Sequence, residues 1–250
     1  MTDRLVHLTI TDGVATITLD SQRNRNALSR QLVTELSAHL TSADDDDSVL
    51  AVVVAAAGPV FCAGADMAEA AADGMEQGAR ALVALQRQIV ALAKPVVVRL
   101  QGPVRAGGLG IVGAADVVIS ADTVTFAFTE VRLALAPAVI SLTTLPRLTD
   151  RAAALTYLGG GTFDAAEAAR IGLITQAVAA DRLDAAVDEV LADLRKGSPQ
   201  GLRETKALLN EGLLERIDAM GESVSVQSAR LFGSYEARAA MTAFLNRKKT

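Results

Sequence analysis

Glu130 is the carboxylate best placed for proton chemistry in this chain, because it follows closely on two glycine-rich turns. The first turn is Gly58-Pro-Val-Phe-Cys-Ala-Gly-Ala-Asp66 and the second Gly102-Pro-Val-Arg-Ala-Gly-Gly-Leu-Gly110. Each follows a run of β-branched residues, at 49–54 and 96–98, and leads into a helix-forming stretch. Glycine lets backbone come close to a ligand, and a turn that opens a helix leaves N–H groups without intrahelical partners. Two such turns can aim two donors at one developing oxyanion. The chemistry implied is proton transfer beside a polarised carbonyl, with a single acid in reach. Two plainer readings stand beside it: Gly107 as the pivot of a tight turn, and Glu130 in a surface ion pair with Arg132 on one face of a strand.

Other candidate groups carry less. Cys62 is the sole cysteine, which excludes an internal disulfide and fits a reducing compartment. The two histidines, His7 and His39, lie in the N-terminal segment, away from any context that suggests a base for it. A buried structural thiol is therefore expected. The run Asp44-Asp45-Asp46-Asp47 reads as a solvated helix-to-strand connection, since consecutive carboxylates cannot all face one ion.

The elements that must position the turns follow from pattern. Residues 6–10 and 14–19 alternate apolar and polar about Asp12-Gly13, a hairpin signal. Ser29 is a suitable N-cap for a helix to about Leu40. The unbroken apolar run 49–56 suits a strand buried on both faces. Helices are expected from Asp66 and, past Gly74 and Gly78, over 79–92, where Lys94-Pro95 stops the second. Strand 96–100 comes next, then a short helix over 109–115 and strands at 117–120 and 123–128. Helical spacing dominates thereafter, at 152–158, 165–171 and 182–194. Beyond a linker at Gly197-Ser198-Pro199, two helices (202–215 and 223–232) and a terminal one through Leu245 are expected. Short strands alternating with helices indicate an α/β fold.

Length suits one large domain or a core with a smaller appendage, and the pattern of elements divides the chain into a core over 1–196 and a helical C-terminal region over 197–250. Half the residues are apolar but only 3% aromatic, with no tryptophan, so alanine and valine do the packing. A net charge of -5 argues against nucleic acid or an anionic membrane as partner. Nothing reads as a signal peptide or a membrane span, and a cytoplasmic location is expected.

Gly108-Leu-Gly110-Ile-Val-Gly113 satisfies a dinucleotide-binding fingerprint, with Glu130 as the acid about 20 residues on. Against it, Gln101 to Gly107 separate the strand from the first glycine, and the next strand starts three residues after the last. A helix of two turns is expected to be too short to cross back over a parallel sheet.

Five segments in order resemble the crotonase superfamily, the enoyl-CoA hydratase/isomerase family, across essentially the whole chain. Asn26-Ala27-Leu28 resembles its early CoA-contact loop, and Phe61-Cys-Ala-Gly-Ala-Asp-Met67 its F-x-A-G-A-D-[IL] signature. Gln101-Gly102 with Ala106-Gly107-Gly108 is similar to its N-G-x-x-x-G-G-G turn. Phe126 to Pro137 resembles the stretch with a catalytic glutamate seven residues before a proline. Met241-Thr-Ala-Phe-Leu-Asn-Arg-Lys-Lys249 resembles its terminal helix.

The resemblance implies a spiral of β-β-α turns, a helical C-terminal region that makes homotrimers or dimers of trimers, and an acyl-CoA thioester substrate. No cofactor is implied, coenzyme A being part of the substrate. The N–H groups of Ala65 and Gly107 would hold the thioester oxygen, and Glu130 would be the acid/base. Arg25, Ala27, Leu28, Ala63, Asp66, Met67, Phe244 and Arg247 would line the CoA path, the last two from a neighbouring subunit. Asp66 also reads as an N-cap. Hydratases of the family use a second glutamate, and its position here is Gly110. Thr129-Glu-Val-Arg-Leu-Ala-Leu-Ala-Pro-Ala-Val-Ile-Ser141 is similar to methylglutaconyl-CoA hydratase-like members with glycine there. An enoyl-CoA hydratase-like lyase is thus expected, with an enoyl-CoA isomerase and a catalytically weak acyl-CoA-binding paralogue as alternatives. Arg105 is expected to pair with a structural acid or with a distal carboxylate of the acyl chain.

Overall fold

The computed structural model describes residues 4–73 and 75–247, apart from the side chains of 71–73 and 244–247. It opens on the expected hairpin, β1 (Val6–Thr11) and β2 (Val14–Leu19), in register from Val6–Leu19 to Thr11–Val14. Asp12 and Gly13 both take positive φ, 48° and 77°, as a two-residue hairpin turn with right-handed twist requires. α1 (Arg30–Asp45) starts on Ser29, whose hydroxyl accepts the Leu32 N–H. It outruns the expected end at Leu40, because Leu36, Leu40 and Ala43 keep one face buried. The aspartate run closes it: Asp44 accepts the Ala93 N–H, and Asp46 accepts from Ser48.

Three β–β–α turns follow. The first comprises β3 (Ala51–Ala56), a single bridged residue at Cys62, then α2 (Met67–Asp73) and α3 (Glu76–Ala91). The second comprises β4 (Val96–Leu100), β5 (Val104–Arg105) and α4 (Gly107–Ala114). The third has β6 (Val117–Ala121), β7 (Thr125–Ala127), a 3-10 turn at Glu130–Leu133, α5 (Ser141–Thr144) and α6 (Asp150–Gly159). After these come β8 (Phe163–Asp164), α7 (Ala165–Arg170), β9 (Gln176–Val178), α8 (Leu183–Leu194), α9 (Pro199–Phe232) and α10 (Tyr235–Arg247).

The first strand of each turn joins one six-stranded sheet, ordered β1-β2-β3-β4-β6-β9 and parallel apart from the opening hairpin. The second strands stack separately: Cys62 bridges Val104, β5 runs parallel to β7, and β7 pairs antiparallel with β8. This is the spiral of β-β-α turns that the resemblance implies, and it lays the two glycine turns one on the other. It also corrects the crossover argument. β4 and β6 are parallel neighbours although only the two-turn α4 separates them, because β5 carries the chain out to the second sheet and α4 merely returns it.

The central strands are fully apolar where they are most buried, through Val52, Val54, Val96, Val97 and Val98. The C-terminal region departs from expectation in one respect. The two helices expected beyond Pro199 are one helix of 34 residues. Gly221 does not break it: a Cβ there would stand 2.8 Å from Val83 Cγ1, so glycine lets α9 lie close against α3. The supposed linker is the helix start, with Ser198 accepting the Gly201 N–H and Pro199 at the first helical position. Lys206 fastens α9 internally, its ammonium donating to Ile89 O, Lys94 O and Asp116. Among the described residues no helix is long and apolar enough to cross a membrane.

Candidate active site

The first turn is pinned by Asn26, a buried residue with φ 53°. Its amide donates to Ala57 O (3.1 Å) and Val60 O (2.9 Å) and accepts the Ser21 N–H (2.7 Å). Leu28 N–H then donates to Gly64 O, bridging Leu28 to Ala65. The second turn is fixed to the first where Arg105 N–H donates to Cys62 O at 3.0 Å. Gly108 makes that contact possible, since a Cβ there would fall 2.7 Å from Cys62 Cβ.

Ala106 takes φ 45° and ψ -121°, a conformation that costs a non-glycine residue about 1–3 kcal/mol. That strain sets the direction in which α4 begins. A Cβ built on Gly64 would lie 3.7 Å from Gly107 N, and one on Gly107 3.8 Å from Ala65 N, so the two N–H groups are neighbours. Among the described residues neither has an acceptor in the protein. Gly107 heads a fully buried helix, whose N-terminal dipole adds to the positive potential there.

Glu130 comes to the same place from the 3-10 turn, not from the strand expected. With three residues per turn, positions two apart point in different directions, so the ion pair with Arg132 does not form. Arg132 donates instead to Gly159 O at 3.5 Å. Glu130 Oε2 is sealed from solvent with no hydrogen-bond partner. Burial pushes its carboxyl up to about 7, against a smaller opposing pull from its own backbone.

Two cavities meet at this carboxyl and share Ala65, Asp66, Ala106 and Phe232. One, of about 300 Å³, is walled by Leu28, Val33, Leu82, Val139 and Ile140 and includes Gly107. The other, of about 870 Å³, is basic, with Arg23, Arg25, Arg105 and Arg132 around Ala27, Ala63 and Met67. The structure thus brings Ala65, Gly107 and Glu130 together at the junction. Leu28 falls in the apolar cavity, and Arg25, Ala27, Ala63 and Met67 in the basic one. α10 borders the basic cavity of its own chain through Ala240 and Ala243. Phe244 and Arg247 belong to that helix, but their side chains lie outside the described residues.

Several expectations are settled by contacts. Asp66 caps α2, accepting the Ala68 and Glu69 N–H groups while its second oxygen takes Asn24 Nδ2 at 3.0 Å. Cys62 is sealed, and burial pushes its thiol up to about 12, the wrong direction for a nucleophile. Among the described residues Arg105 does not form the structural ion pair expected of it. Its guanidinium donates to Val104 O, Thr125 O and Thr125 Oγ1, which ties it to β7. Residues that sequence reasoning missed include Asn26 as the clamp of the first turn, Phe232 at the cavity junction, and Gln86, which packs behind Gly110.

The chain matches the family model for enoyl-CoA hydratase/isomerase over residues 9–250. Among solved structures it resembles an enoyl-CoA hydratase from Mycobacterium avium, at 47% identity and a TM-score of 0.92, covering 98% of each chain. It is 28% identical to the crotonyl-CoA hydratase of Syntrophomonas wolfei over 95% of this chain and 94% of that protein. Identity to the mevalonyl-coenzyme A hydratase of Aspergillus fumigatus is also 28%, over 96% and 91% respectively. The names of these relatives share a reaction and a thioester carrier and differ in the acyl group.

Proposed function

The chain belongs to the enoyl-CoA hydratase/isomerase family, and from that premise we propose that it adds water across the 2,3 double bond of an acyl-CoA thioester. The observation that carries this reading is Glu130 Oε2, buried and unpartnered, at the junction of the two cavities and beside the paired N–H groups. The acyl group would enter the apolar cavity and the nucleotide end the basic one, past Arg25, Ala27, Ala63 and Met67.

In this mechanism the Ala65 and Gly107 N–H groups hold the thioester oxygen. Water oxygen bonds to Cβ while Glu130 takes the water's proton, and the carbonyl becomes an enolate whose charge rests on that oxygen. Glu130 then returns the proton to Cα and the carbonyl re-forms. A carboxyl near 7 suits both steps, because it can accept and release a proton at neutral pH. Each oxyanion donor would contribute about 2.7–4 kcal/mol, on the scale of a protease donor. No cofactor is required, since only water and a proton move.

The same carboxyl could carry a proton from one carbon to another, which is double-bond isomerisation. Gly110 favours this second reading, since it offers no second carboxylate. Incubation with 2-enoyl and 3-enoyl thioesters separates the two, because only hydration adds the mass of water. A product of unchanged mass from every 2-enoyl substrate would overturn the hydratase reading.

The proposal extends to a cytoplasmic homotrimer or dimer of trimers, with residues 197–250 as the assembly region on a core of 1–196. Leu155 and Leu158 on α6 and Leu208 and Leu209 on α9, all strongly exposed, support assembly. Light scattering on the purified protein checks it.

A further inference from the structure

Gly110 lies three residues after Gly107 on α4, so the two share a helix face. A side chain at 110 would therefore project toward the side on which the oxyanion donor sits. That direction is occupied. A Cβ built on Gly110 would lie 3.0 Å from Gln86 Cδ, 3.1 Å from Gln86 Oε1 and 3.1 Å from Ile140 Cγ2, all tighter than ordinary contact.

Gln86, the nearer of the two, is not free to move aside. Gln86 is fully buried, and its amide is held at every hydrogen-bonding group. Nε2 donates to Leu82 O (3.2 Å) and Val139 O (3.3 Å), and Oε1 accepts from the Thr143 hydroxyl (2.6 Å). That hydroxyl also lies 3.2 Å from Gly110 O. Ile140 is a wall of the apolar cavity.

We propose that Gln86 is a positioning residue that commits this site to one carboxylate. It fills the space a second acid would need, and it ties the Val139–Ile140 wall to α3 and, through the Thr143 hydroxyl it shares with Gly110 O, to the helix that presents the Gly107 N–H. The inference deepens the hydratase reading and rests on it only for its catalytic readout.

The test is a double-mutant cycle of Gly110→Glu and Gln86→Ala, read in melting temperature and in the pH profile of kcat/KM on a 2-enoyl-CoA. Gly110→Glu alone is expected to lower the melting temperature by roughly 4–8 °C, as overpacking does. Adding Gln86→Ala should recover at least half of that drop. The wild type should show one ionisation, from Glu130, and the double variant a second. Gln86→Ala alone should lower kcat about 10- to 100-fold, as loss of positioning does, with KM moved far less.

Additive shifts in melting temperature would overturn the proposal, as would an unchanged kcat in Gln86→Ala or a second ionisation in Gly110→Glu alone. If Gly110→Glu does not fold, Gly110→Ala needs the same space for its Cβ and serves in the same cycle. Should the wild type hydrate no 2-enoyl-CoA, the hydratase reading falls, while the melting cycle still decides whether Gln86 holds the space beside Gly110.

Discussion

Lys206 and Glu130 both carry polar atoms withdrawn from solvent, and the molecule treats the two oppositely. Lys206, on the seam between α9 and the core, donates to two carbonyls and to Asp116, which also accepts from Val96 N–H and Asn210 Nδ2. Burial draws the lysine's pKa down while Asp116 holds it up. Glu130, at the cavity junction, has a sealed oxygen with no partner. Burial is costly for both groups, but only the seam compensates for it with partners. A buried group that is satisfied holds architecture together, whereas one left unsatisfied is available to a substrate.

If that contrast is right, removing each charge should damage a different property. Glu130→Gln keeps shape and volume, so it should lower kcat about 10²- to 10⁴-fold. Affinity for a saturated acyl-CoA, measured by calorimetry, should hardly change. Unchanged turnover would put Glu130 in the same class as Lys206 and end the comparison. Lys206→Met should do the reverse. It strands Asp116 without its cation, at a stability cost of about 3–5 kcal/mol visible as a lower urea midpoint. The KM for substrate should stay where it was. A shift in KM without loss of stability would show that the seam reaches into the site.

The seam and the site also differ in how far they could be read from sequence. The two turns, the hairpin, Ser29 as a cap and Asp66 as a cap were legible, because each depends on residues within a few positions. That the two turns come together was legible through the order of five local motifs. What was hidden depends on partners far along the chain. Asn26 clamps carbonyls 31 and 34 residues away, and Gln86 reaches across 57 residues to Thr143. The single long α9 was hidden for the same reason. The glycine at 221 fits inside the helix because Val83 packs where its side chain would be. Glu130 was found, yet its setting was misread. A strand would have aimed Arg132 alongside it, and the 3-10 turn sends Arg132 to Gly159.

The smallest effect expected is also the most direct measure of what leaving Glu130 unpartnered costs. Its carboxyl stands at about 7 in the folded chain, against an ordinary 4.5. Below pH 4.5 both folded and unfolded chains hold the proton, and the group has no effect on stability. As pH rises from there to 7, the unfolded chain releases its proton first, so folding becomes steadily less favourable. Above 7 the penalty is constant, at roughly 3 kcal/mol. Glutamine has no proton to lose, so Glu130→Gln should escape this penalty. The variant should melt roughly 6 °C or more above the wild type at pH 8 and level with it at pH 4. An equal gain at both pH values would assign the cost to shape rather than charge. No gain at either would mean that Glu130 finds a partner, and the contrast with Lys206 would then dissolve. A gain confined to high pH would mean that the site gives up stability to keep a proton acceptor unengaged, which the seam, with its lysine fully bonded, has no reason to do.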